Sequence, residues 1–164
     1  MTSISYLNFT KKLPPTTMAN LNPPQSKDKS YLTSFPTPEI LLVTINREKA
    51  RNSIPSYAHW EMHDLFLWFD SEPSLRIAII TGAGSKAFCA GQDLIEQGTL
   101  NKTKQPRSTL MHPPSGFAGL SRRVGKKPVI AAVNGFALGG GMEIVLNWCG
   151  APLYWVWGHE LINL

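Results

Sequence analysis

Three consecutive glycines, Gly139-Gly140-Gly141, stand between an apolar β-type run and an apolar helical one. Ahead of them lie residues 128–133 (PVIAAV), an Asn134-Gly135 turn and a short extended piece, 136–138; behind them residues 142–146 (MEIVL) read as helix. A residue without Cβ lets the backbone approach another segment closely, and a helix starting there leaves its first N–H groups without intrahelical partners. Those N–H groups and the helix dipole stabilise an anion or a developing oxyanion. The plainer alternative is a turn that only permits tight packing. Glu143 comes next, in the first helical turn, among Met142, Ile144, Val145 and Leu146. A carboxylate in apolar surroundings is costly unless used or paired, and burial lifts its pKa toward a range useful for acid/base work. Against this stands an ordinary acid favoured by the helix dipole.

A second small-residue turn, residues 88–94 (FCAGQDL), also comes after a strand-like run and precedes a helix-like one. Its amides and those of the triple glycine are candidates to share one oxygen, which would make an oxyanion hole; otherwise it is a strand-to-helix connection with Asp93 as cap. The rest of the pattern agrees with an α/β domain. Residues 39–46 (EILLVTIN) and 75–81 (LRIAIIT) are β-branched runs of strand length, the second read as buried on both faces. Ser53 is the expected N-cap of a helix carrying Pro55 in its first turn and reaching about Asp70. Ile54, Ala58, Met62, Leu65 and Phe69 form its buried stripe.

Both ends differ from this middle. Residues 1–38 hold six of the thirteen prolines and no periodicity, so a disordered leader is expected, with order beginning at Glu39. Residues 148–164 hold three of the five tryptophans without any period and read as an atypical tail unrelated to the domain at 39–147. The net charge of +5 is below that of a dedicated nucleic-acid binder, although seven basic residues and no acid fall within 102–127. Aromatics flank that segment only at Phe117, so base stacking is poorly served and no nucleic-acid partner is expected. Cys89 and Cys149 offer neither a disulfide framework nor a zinc spacing. No apolar stretch is long enough to predict a membrane span.

Three motifs in order, NREKARN (46–52), FCAGQDL (88–94) and KPVIAAVNGFALGGGME (127–143), resemble the enoyl-CoA hydratase/isomerase (crotonase) superfamily. The resemblance covers about 39–147 and implies the N-terminal half only of a crotonase-like ββα spiral, an α/β fold. It implies that the main-chain N–H groups of Gln92 and Gly140 hold an acyl-CoA thioester oxygen, with Glu143 as acid/base. It also implies that Ala50, Ala90, Asp93 and Leu94 line the CoA site. The chemistry needs no metal or separate cofactor, since CoA arrives as part of the substrate. Ile95 stands where relatives often carry a lysine, and Arg122, Arg123, Lys126 and Lys127 are the candidates to replace its phosphate contact.

The same resemblance implies hydratase or isomerase activity in fatty-acid β-oxidation or in the tailoring of a secondary-metabolite acid. It points to peroxisomal residence first and mitochondrial second, and to homo-trimers or hexamers. The family's second glutamate has no counterpart in frame, Glu160 being the nearest acid, and the elements that assemble the oligomer are missing. The chain therefore reads as a truncated member, with a catalytically dead fragment that keeps part of the CoA-binding half as the competing function. Other patterns fall short. His59 and His63 lack the order and third ligand of a zinc helix, and residues 81–86 match neither dinucleotide nor P-loop glycine spacing.

Overall fold

The computed structural model describes residues 21–102 and 111–146. The β-branched runs form the centre of a four-stranded sheet in the order β1-β2-β3-β5: β1 is Tyr31–Thr37, β2 Ile40–Ile45, β3 Ile77–Gly82 and β5 Val129–Ala132. β1 and β2 are antiparallel; β2 with β3, and β3 with β5, are parallel. Leu41 faces Ala78 and Val43 faces Ile80, while Val129 and Ala131 continue the row from β5. All six are buried. The opposite face of β3 is half-buried at Ile77 and Ile79 and buried at Thr81, so the strand alternates over its first half and is covered on both faces only toward its end.

Helix α1, Ser56–Ser71, buries Ala58, Met62, Leu65 and Phe69 in the same core as the sheet, as its spacing predicts. Its start differs from expectation. Pro55, not Ser53, is the cap residue, and the Ser56 amide is met by the Glu96 carboxylate at 3.3 Å. Ser53 instead gives its carbonyl to Arg47 Nη1 at 2.7 Å. The far end of α1 is held by basic side chains, which suit the negative end of a helix. Lys127 Nζ donates to the carbonyls of Phe69, at 2.7 Å, and Glu72, and Arg123 Nη2 pairs with Asp70 at 2.5 Å.

The leader expected over 1–38 needs correction where it is described. Residues 31–37 are strand β1, and Tyr31 is a core residue. A proline is tolerated here because β1 is an edge strand, and Pro36 sits where the register with β2 shifts, between Ser34 and Thr37. Residues 1–20 and the tail at 148–164 lie outside the described residues.

Beyond β3 come the short strand β4, Ala87–Cys89, and α2, Leu94–Lys102. Strand β6, Phe136–Ala137, pairs parallel with β4 in a second small sheet and leads into α3, Gly140–Leu146. Among the described residues no helix is long and apolar enough to cross a membrane.

Candidate active site

Two asparagines fix the turn between β3 and β4, and so set the course of the chain beyond it. Asn52, buried and in a left-handed conformation (φ 56°), donates through Nδ2 to the carbonyls of Ala83 at 2.9 Å and Ala87 at 2.7 Å. Its Oδ1 accepts the Arg47 amide at 3.1 Å. From the other side Asn134 Nδ2 donates to the carbonyls of Gly82 at 2.8 Å and Gly84 at 2.6 Å, while its Oδ1 accepts the Gly82 amide at 3.0 Å. The Asn134-Gly135 turn read from the sequence is therefore also a clamp. A Cβ on Gly135 would lie 2.5 Å from the Lys86 carbonyl, so only glycine lets this turn close on it.

The chain leaving β4 lies against the triple glycine. Leu138 N donates to Cys89 O at 2.9 Å, and a Cβ on Gly91 would stand 3.4 Å from the Gly140 nitrogen. On its other side residue 92 forms a parallel bridge to Ile54, made by Ile54 N to Gly91 O at 2.9 Å and Asp93 N to Ile54 O at 3.0 Å. In a parallel bridge the central residue turns its own N–H away from that partner. The Gln92 amide donates to no group among the described residues. Neither does that of Gly140, the first residue of α3, whereas Gly141 N bonds Leu138 O and Glu143 N bonds Gly139 O. Each glycine has its own reason. Gly139 has φ 51°, a Cβ on Gly140 would fall 2.3 Å from the Phe117 ring, and one on Gly141 would fall 2.2 Å from the Cys89 carbonyl oxygen.

The Gln92 side chain is held by residues that the sequence did not point to. Buried His59, from α1, accepts the Ala118 amide at Nδ1 (3.1 Å) and meets Gln92 Oε1 with Nε2 at 2.7 Å. Burial pushes its pKa down to about 4, so the ring is neutral. Gln92 Nε2 reaches Ser56 Oγ at 3.3 Å, and His112 Nε2 also approaches Gln92 Oε1, at 3.3 Å. The His112 and His59 rings meet edge-on with centroids 4.5 Å apart. His63, the other half of the metal pattern, bonds Ser115 Oγ at 2.7 Å and turns to a different neighbour. A histidine within two positions of a buried stripe on α1 was the only hint of this cluster in the chain.

Glu143 departs from expectation. α3 turns Gly141 and Ile144 inward, and Glu143 is exposed with Met142 and Leu146 beside it, so the expected apolar enclosure is not there. Its charge is felt at His112, which it favours in the protonated form, while burial and Arg122 favour the neutral one. Ala50 and Ala90 lie close together across the bond from Ala90 N to Arg51 O, at 3.0 Å, and Leu94 is exposed on the first turn of α2. Asp93 turns inward. Its carboxylate accepts the Ile95 and Glu96 amides, both at 3.1 Å, and pairs with Arg47 at 2.7 Å, which holds its pKa below the usual carboxylate range against burial. Of the four basic candidates for a phosphate contact, Arg123 and Lys127 are occupied at the end of α1, because that helix terminus supplies the acceptors; Arg122 and Lys126 are exposed.

A mostly parallel α/β sheet whose strand-to-helix turns leave amides without partners beside a glycine triplet offers main-chain donors of the kind that can stabilise an anion. The chain belongs to the enoyl-CoA hydratase/isomerase family, whose model matches residues 37–149. It is 53% identical over 118 residues to a mevalonyl-coenzyme A hydratase of Beauveria bassiana, covering 69% of this chain and 42% of that protein. It is 47% identical over 108 residues to a carnitinyl-CoA dehydratase of Escherichia coli, covering 65% and 39%. The crystal structure of a carnitinyl-CoA hydratase from Mycobacterium avium superimposes with a TM-score of 0.61 at 35% identity, covering 73% of this chain and 44% of that one. The chain thus spans about two-fifths of the length of the curated relatives it matches, and the described fold corresponds to the N-terminal half of the crotonase architecture.

Proposed function

We propose that this chain polarises the thioester carbonyl of an acyl-CoA for hydration or dehydration, using the main-chain amides of Gln92 and Gly140. The observation that carries the proposal is that these two amides, on abutting loops, donate to no described group, whereas Asp93 N, Gly141 N and Glu143 N are bonded. Adding water to a 2-enoyl thioester places negative charge on the thioester oxygen, and each fixed donor aimed at that charge is worth about 3 kcal/mol in barrier height. Glu143, one turn beyond Gly140, exchanges the proton at the α carbon, and Ala50, Ala90 and Leu94 flank the CoA. CoA arrives as part of the substrate, and the chemistry asks for no further cofactor. The mevalonyl-coenzyme A hydratase relative makes a short branched 3-hydroxyacyl-CoA the first substrate to try. Peroxisomal residence belongs to the proposal on the family resemblance alone.

A second function is favoured by one observation. Glu143 is exposed, which suits a fragment that binds acyl-CoA without turning it over. Hydration of crotonyl-CoA, read as loss of the enoyl absorbance, separates the two. Turnover abolished in Glu143→Gln supports the enzyme. Binding without turnover in either protein supports the silent fragment, and absence of acyl-CoA binding overturns both.

A further inference from the structure

The side chains behind Gln92 fix more than its position: they fix where the lone pair of a second histidine lies. Ala118 N–H points at His59 Nδ1, so that nitrogen must be the acceptor and the proton of the neutral ring must sit on Nε2. A donor at Nε2 requires the Gln92 atom 2.7 Å away to be the amide oxygen, which settles the orientation of that side chain. Gln92 Nε2 is then directed at Ser56 Oγ. The same oxygen faces His112 Nε2 at 3.3 Å, and an amide oxygen only accepts, so His112 also carries its proton on Nε2. In its neutral form His112 is left with an unprotonated Nδ1.

His112 touches a side chain from each of the two loops' surroundings. One contact is to the side chain of Gln92; the other is to Phe117, 5.7 Å away centroid to centroid, whose ring underlies Gly140. The segment is anchored by Trp60 Nε1, which donates to Met111 O at 3.0 Å. The charged and titratable groups around the ring are His59 from α1, Glu143 from α3 and Arg122. His112 is exposed, so water reaches it.

We propose that His112 is the second acid/base residue of this site, taking at Nδ1 the proton of the water that adds to the β carbon while Glu143 supplies one to the α carbon. His59 and the Gln92 side chain are its positioning residues. The inference rests on the proposed hydratase function. In the step, a water O–H bond breaks as the C–O bond forms at Cβ, and the double-bond pair moves onto the thioester as an enolate. That pair then forms the C–H bond at Cα with a proton that the Glu143 carboxylate takes from solvent and passes on, and the proton on His112 Nδ1 is released to solvent. Water is added and both groups are restored.

The test uses the full chain with 15N-labelled histidine and crotonyl-CoA. Expected are a His112 ring protonated at Nε2, movement of its Nδ1 resonance as crotonyl-CoA saturates the site, and a loss of activity as pH falls through the His112 pKa, below the ordinary 6.5. His112→Asn should remove that acidic limb and lower kcat about 100-fold or more, with crotonyl-CoA binding retained. Gln92→Glu, which keeps the main-chain amide and puts a carboxylate against His112, should move the limb to higher pH. Saturable binding with an unmoved Nδ1 resonance, or His112→Asn with unchanged kcat and pH profile, overturns the assignment of His112 alone. Failure to bind crotonyl-CoA at all refutes the underlying function and this assignment together.

Discussion

Acidification from pH 7 to pH 4 should destabilise this chain largely through one side chain, His59. It is neutral in the folded state because it is buried and because the Ala118 N–H occupies Nδ1; a proton there would set one donor against another. The unfolded chain takes up that proton near the ordinary value of 6.5, and the folded chain only near 4. Between those limits the unfolded state binds more protons, so stability falls as pH falls, by about 1.4 kcal/mol for each pH unit. Across the window from 6.5 to about 4, the loss comes to about 3 kcal/mol, a large share of the roughly 5–15 kcal/mol that holds a typical domain together. His112, also lowered, adds in the same direction. Asp93 and Asp28, lowered instead as carboxylates, lose their contribution only below 3.8, outside the window. Urea unfolding monitored by tryptophan fluorescence at pH 7, 5.5 and 4.5 measures the slope. His59→Gln, whose side-chain amide can still donate to Gln92, should flatten it by about 3 kcal/mol over the window. Equal slopes in the two proteins, or a His59 ring that titrates near 6.5 in the folded chain, would refute the reasoning.

Other substitutions give outcomes of opposite sign. Gly141→Ala places a methyl 2.2 Å from the Cys89 carbonyl oxygen, main chain against main chain, and should cost about 1–3 kcal/mol by overpacking. Gly98→Ala, inside α2 with nothing within 4 Å of the new atom, should stabilise by about 0.5–1 kcal/mol, so thermal melts of the two should move in opposite directions. Asn52→Ala leaves the carbonyls of Ala83 and Ala87 and the Arg47 amide without their partner and forces alanine into φ 56°. A loss of about 3 kcal/mol or more in chemical unfolding is expected, and a loss under about 1 kcal/mol would show the clamp to be dispensable.

The parts legible in the sequence are those where one element carries its own signature. The stripe at Ala58, Met62, Leu65 and Phe69 keeps to the helical period, and β2, β3 and β5 are β-branched runs. β1 lacks such a mark. Its hydrogen bonds come from β2, where Leu32 faces Thr44, and nothing local in Tyr31–Thr37 announces that partner, while its proline argues the other way. That the two glycine-rich turns leave main-chain amides without partners was legible in the turns themselves, while the particular positions, 92 and 140, were implied only by the family resemblance. The side chains around them were not legible, since His59 reaches Gln92 across 33 residues and His112 across 20. The exposure of Glu143 escaped for a different reason: apolar neighbours along a helix do not reveal which of its faces is covered. Arg123 and Lys127 read as free cations because the acceptors they meet, Asp70 and the carbonyls of Phe69 and Glu72, lie more than fifty positions earlier.

Asn52 and Asn134 grip the connection between the third and fourth strands by its carbonyl oxygens and by one amide, the one side chain that joins them among the described residues being Thr81 of β3. The side chains of Ser85 and Lys86, at the exposed crest of that connection, are thereby left out of shaping the turn at residues 88–94. Replacing either should be silent in both melting and turnover, which makes the crest a suitable place to attach a dye or an affinity tag.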